Sequence, residues 1–79
     1  MTVKKTPRTV LTFPTTTDAI RFEKAAHEWK YAGRMIPVPR EISAGCGLAF
    51  SAPTGKANGL KRMAERMKIN VEGIYEIAI

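Results

Sequence analysis

Two prolines, Pro37 and Pro39, constrain the fold of this 79-residue chain more than any other feature. They lie in and directly after a strand-like segment at residues 34–38. A proline has no backbone N–H to donate to a neighbouring strand. Residues two apart in a strand point their N–H groups to the same side, so both lost donors lie along one edge. The segment is therefore predicted to be an edge strand with a single neighbour.

The remaining sequence predicts two helices and three further strands. Each helix has apolar side chains at the spacing i, i+3, i+4, i+7, which places them on one buried stripe. The stripes consist of Phe22, Ala25, Ala26 and Trp29 in the first helix, and Leu60, Met63, Ala64 and Met67 in the second. The predicted helices span residues 18–32 and 57–67, and the strands span residues 8–13, 47–51 and 71–79. Thr15 to Asp18 offer an N-cap for the first helix, and Gly33 is its predicted C′ residue.

The resulting order, β-α-β-β-α-β, belongs to the α+β class. It predicts a ferredoxin-like two-layer sandwich with two helices on an antiparallel sheet of strand order 4-1-3-2. In that order the second strand is an edge, which agrees with the proline pattern. Residues 8–79 are expected to form this single domain, preceded by a flexible basic tail at residues 1–7.

Composition removes several kinds of function. One cysteine and one histidine allow neither an internal disulfide nor a structural zinc site, so no metal and no resident cofactor are expected. An unpaired thiol and the lack of a membrane-length apolar run indicate the cytoplasm and no membrane partner.

The net charge of +6 permits an anionic partner. Nucleic acid is disfavoured, since at most Tyr75 offers an aromatic ring on the open sheet face; that face suits a homodimer at least as well.

The single cysteine, Cys46, is the best candidate for chemistry. It lies between Gly45 and Gly47 in the connection between the second and third strands. Backbone N–H groups at the two glycines, and a guanidinium such as that of Arg40, would lower the pKa of the thiol and make it more nucleophilic. The alternative is that Cys46 is a small buried hydrophobe. His27 lies mid-helix beside the apolar stripe and is expected to be solvated, so a Cys–His catalytic pair is not predicted.

Two runs in the chain resemble a known family. They are Thr-Phe-Pro-Thr-Thr-Thr-Asp-Ala-Ile-Arg at residues 12–21 and Pro-Val-Pro-Arg-Glu-Ile-Ser at residues 37–43, the latter followed by Gly-Cys-Gly-Leu-Ala at residues 45–49. Together they resemble small single-cysteine bacterial and archaeal proteins described as selenium/sulfur carrier-like (DUF3343). The resemblance covers residues 8 to 78. It implies a non-enzymatic sulfur or selenium carrier, or a redox-responsive thiol protein, that holds a persulfide or selenide on Cys46. The implied partner is a cysteine desulfurase or a selenium-handling enzyme.

In the connection that carries Cys46, Ser43 and Glu41 are expected to support the thiol site. Glu41 is expected to pair with a basic residue or to face water. A second hypothesis is a non-catalytic binding or regulatory module for a protein, nucleic acid or small anion, with the cysteine as a packing residue.

Thr54 and Lys56, at the start of the second helix, form a candidate anion site. The simpler interpretation there is that Thr54 caps the helix.

Overall fold

The computed structural model describes residues 6–40, 42 and 47–78. Its elements are β1 (Pro7–Thr12), α1 (Thr16–Glu28), β2 (Arg34–Pro37), β3 (Leu48–Pro53), α2 (Ala57–Met67) and β4 (Gly73–Ala78). The strands pair antiparallel in the order β2-β3-β1-β4, which is 4-1-3-2 when read from the other edge. The predicted α+β class is confirmed, and the arrangement is consistent with a ferredoxin-like βαββαβ sandwich. Most of the predicted basic tail, residues 1–5, lies outside the described residues.

The edge strand β2 has the geometry that its prolines predict. β3 is its one neighbour in the sheet. The N–H of Val38, which lies between the two prolines, donates to the carbonyl oxygen of Gly47 at 3.1 Å. Because N–H groups alternate sides along a strand, Pro37 and Pro39 face away from β3. The two missing donors therefore interrupt no hydrogen bond of the sheet.

The core lies between the two helices and one face of the sheet, and three phenylalanines connect its parts. The ring of Phe22 on α1 is 5.1 Å from that of Phe13, just after β1, and 5.1 Å from that of Phe50 on β3. All three are at most 1% exposed. The tilted and edge-to-face angles, 48° and 67°, are those that aromatic pairs favour. Around the rings pack Leu11, Ala19, Ala25, Ala26, Ala52, Leu60, Met63, Ala64 and Ile69.

The first helix is capped within the predicted run Thr15 to Asp18, but it begins two residues before the predicted start and ends earlier. The side chain of Thr15 caps it by accepting the N–H of Asp18 at 3.1 Å. The helix ends at Glu28, and Lys30, with φ of 61°, takes the left-handed conformation that Gly33 was expected to provide. The prediction that Trp29 is a core residue is wrong: it lies at the C-cap, where the backbone leaves the helix, and is 42% exposed.

The second helix also departs from the predicted core at its last residue. Met67, expected on the buried stripe, is the last residue of α2 and is 37% exposed. The next residue, Lys68, is left-handed with φ of 56° and turns the chain towards β4. A stripe of helical spacing thus overestimates burial at its last position, where the chain leaves the helix.

Gly33 has a different role from the predicted one. Its φ is 151°, and a Cβ atom there would lie 2.5 Å from Cε2 of Phe50 and 2.8 Å from the carbonyl oxygen of Ser51. The loop between α1 and β2 therefore passes against β3 so closely that only glycine fits.

We expect Gly33→Ala to lower the free energy of unfolding by more than Gly55→Ala, which is the matched control. Gly55 also has a positive φ, 89°, but nothing lies within 4 Å of the position that a Cβ atom would take there. The control should lose about 1–2 kcal/mol from backbone strain alone. Overpacking against Phe50 should add about 1–3 kcal/mol to the loss in Gly33→Ala. Urea denaturation measures both values, and equal losses would contradict the close approach at Gly33.

Candidate functional site

The connection between β2 and β3 carries the cysteine, and its described residues show how it is held. At its base, the Val38 N–H donates to the Gly47 carbonyl oxygen. Within it, the Ile42 N–H donates to the Pro39 carbonyl oxygen at 3.0 Å, which closes a turn that contains Arg40. A hydrogen-bonded turn therefore follows directly after β2. We refer to residues 39–46 as the cysteine loop.

The predicted thiol site is only partly within the described residues. Arg40 and Gly47 are described, and both are exposed. Gly47 has φ of 75°, the left-handed region in which glycine is least strained. Glu41, Ser43, Gly45 and Cys46 lie outside the described residues, so their predicted roles stay predictions.

Ile42 anchors the cysteine loop on the open face of the sheet, the face opposite the helices. Its side chain is 8% exposed and packs with Val10 of β1 and Ala49 of β3. These two positions alternate with Leu11 and Phe50, which face the helices, so Ile42 covers the other side. Ile36, Val38 and Ile77 pack around this small cluster. Part of the face considered for dimerisation is thus covered by the chain itself.

A buried polar atom lies next to that cluster. Thr12 is fully buried, on the same face of β1 as Val10, and pairs in register with Ala49. Its Oγ1 has no hydrogen-bond partner among the described residues. A buried hydroxyl without a partner costs about 1–3 kcal/mol. Among the described residues, this part of the open face therefore contains a hydroxyl group whose hydrogen-bonding capacity is unused.

The second predicted site, at the start of α2, lacks the side-chain cap that was expected there. The N-cap of α2 is Lys56, and no side chain caps this helix, so the prediction that Thr54 caps it is wrong. Instead, the Thr54 hydroxyl donates to the Glu76 carboxylate at 3.1 Å. The same carboxylate accepts the Thr9 hydroxyl at 2.8 and 2.9 Å from its two oxygens. Thr54 and Lys56 as an anion site stay a prediction, with the Thr54 hydroxyl already directed to a carboxylate.

Sequence reasoning missed the anchoring role of Ile42. A signal was present, because Ile42 is the only large aliphatic residue between Val38 and Leu48. An isolated aliphatic side chain in a polar loop has to find an apolar surface, and here the open sheet face is the nearest one. His27, by contrast, is exposed in the last turn of α1, in agreement with its solvated interpretation.

The family model described as "Putative Se/S carrier protein-like" matches residues 8–76. The chain belongs to this family. The match includes the cysteine loop and nearly the whole fold, so the resemblance seen in two short runs extends across the domain. No curated protein and no solved structure matches the chain.

Neither described helix is long and apolar enough to cross a membrane. Within residues 6–40, 42 and 47–78, no group of three or more His, Cys, Asp or Glu side chains could hold a metal ion.

If Ile42 anchors the cysteine loop of this Se/S carrier-like protein, Ile42→Ala should loosen the base of the loop. Removing the buried side chain should cost about 2 kcal/mol of local stability. Hydrogen exchange of the Val38 amide should then accelerate about tenfold or more. Ile20→Ala is the control, since Ile20 lies on α1 and is 54% exposed. Unchanged exchange of the Val38 amide in Ile42→Ala would contradict the anchoring role.

Proposed function

We propose that this protein is a non-enzymatic carrier of sulfur or selenium that holds its cargo on Cys46. The observation that supports this most is the family match over residues 8–76, which includes the only cysteine of the chain. A carrier needs one thiol, no internal partner that would oxidise it, and a loop that a donor protein can reach. Two described residues of this region are exposed, Arg40 near the start of the cysteine loop and Gly47 directly after Cys46.

The transfer step needs no cofactor. The Cys46 thiolate attacks the terminal sulfur of a persulfide on a donor enzyme, and a new S–S bond forms on Cys46. The S–S bond of the donor breaks, and its cysteine leaves as a thiolate with the bonding electron pair. The proton of the terminal sulfur moves with it, so charge and atoms balance and there is no net oxidation. Transfer of selenium from a corresponding donor follows the same scheme.

The roles of the neighbouring residues follow from this chemistry. Arg40 stabilises the thiolate and the persulfide anion by its positive charge, and the backbone N–H groups at Gly45 and Gly47 do so by their dipoles. Ser43 and Glu41 shape the loop around this site. The proposed partner is a cysteine desulfurase or a selenium-handling enzyme. We place the reaction in the cytoplasm, where reducing conditions keep the single thiol free.

The first test loads the protein with sulfur. Incubation with a cysteine desulfurase and free cysteine should raise the intact mass by one or more sulfur atoms. Cys46→Ser should show no such increase, and added thiol reductant should reverse it in the native protein. An intact mass that stays unmodified throughout would refute the carrier proposal.

The second test concerns the activation of the thiol. Arg40→Gln should slow alkylation of folded protein near neutral pH, because less of the thiol is ionised without the guanidinium. Arg62→Gln, which removes one positive charge from the exposed face of α2, should leave the rate unchanged. Rates are followed by mass spectrometry across a pH series. A thiol that reacts only in urea would instead support a packing role for Cys46 and a binding module.

A further inference from the structure

A second surface of the sheet has the features of a ligand site. The open face contains a cavity of about 400 Å³, within the range for small-molecule sites, lined by Thr6, Arg8, Arg34, Ile36 and Ser51. Its lining has two guanidinium groups and two hydroxyls, and no acidic residue among the described ones. This surface, which we call the arginine cavity, includes no residue of the cysteine loop.

The strand register explains why the two arginines share one cavity. Ser51 on β3 pairs with Arg34 on β2 and with Val10 on β1. Arg8 lies two residues before Val10 and so on the same face. The backbones of β1 and β2 are separated by two strand spacings, about 10 Å. The Arg8 side chain reaches Ser51 on the strand between them, and Arg34 lines the same cavity.

One of the two arginines is already fixed in place. The Arg8 Nε donates to the Ser51 Oγ at 2.9 Å, and an Nη donates to the Ser51 carbonyl oxygen at 3.3 Å. Ser51 is 4% exposed and Arg8 is half-buried, so this contact is partly buried. The Ser51 hydroxyl accepts from Arg8 and has no acceptor for its own proton among the described residues. Several N–H groups of the two guanidiniums and one O–H group therefore remain as donors.

Two positive charges on adjacent parts of one sheet face repel each other. An anion between them removes that repulsion, and arginine forks hold phosphate-like oxygens with paired, charge-assisted hydrogen bonds. A doubly charged anion neutralises both guanidiniums, and a tetrahedral one presents oxygens to donors on several sides. We propose that the arginine cavity binds a tetrahedral oxyanion of the phosphate or sulfate class. The proposal does not depend on chemistry at Cys46.

The test is a titration of isotope-labelled protein followed by NMR. Inorganic phosphate and sulfate serve as free dianions, and glycerol phosphate serves as an esterified one. Binding should shift the Arg34 and Ser51 amide signals and the Arg8 Nε–H signal, with saturation in the millimolar range or below. Tighter binding of the ester would indicate that the natural phosphate belongs to a larger molecule. Absence of saturable shifts with all three anions would overturn the proposal.

Matched variants distinguish a specific anion site from non-specific electrostatic attraction of anions to a basic protein. Arg34→Gln should raise the Kd at least about tenfold, since it removes charge-assisted hydrogen bonds from an exposed side chain. Arg34→Lys should weaken binding less, because the charge remains but the fork is lost. Arg62→Gln lowers the net charge equally and should not change the Kd; an equal loss in this control would overturn the proposal. Cys46→Ser should bind as the native protein does, which separates this result from the carrier test.

Discussion

The contact among Phe13, Phe22 and Phe50 is the interaction on which the rest of the structure depends. It joins β1, α1 and β3 through fully buried rings, with Gly33 passing against Phe50 from the next loop. Because these rings and both helices lie on one side, the larger hydrophobic core lies on that side of the sheet. The other side carries the smaller apolar cluster around Ile42 and the arginine cavity.

That open face is divided along its strands. Since β1 and β3 run antiparallel, Thr12 and Ala49 lie towards one end of the face, and Arg8 and Ser51 lie towards the other. The first end is apolar and takes the Ile42 side chain of the cysteine loop. The second end carries the arginine cavity. A single four-stranded sheet thus supports two surfaces of different character on one face.

The features that could be predicted from the sequence are those that depend on local chemistry. Proline chemistry predicts the edge strand, and apolar spacing predicts both helices and most of the core. The end of α1 could not be predicted, because Lys30 adopts the left-handed conformation for which Gly33 is the better residue type. The arginine cavity depends on register: Arg8 and Arg34 are distant in sequence, and only the pairing of β3 with both β1 and β2 brings them to one place. For the proposed thiol site, the sequence identifies the candidate residues, and the family match covers the domain that contains them.

The two prolines also limit how another protein can approach the cysteine loop. With Val38 bonded to Gly47 and with Pro37 and Pro39 facing outwards, Met35 is the one outward-facing N–H donor between residues 34 and 39. An incoming strand would find mainly carbonyl oxygens along this border, and it could not form a regular ladder. Docking beside the loop by extension of the β-sheet is therefore disfavoured. A protein that docks at this border therefore has to be recognised through side-chain contacts. Side chains can distinguish one partner protein from another, whereas backbone pairing would accept almost any extended chain.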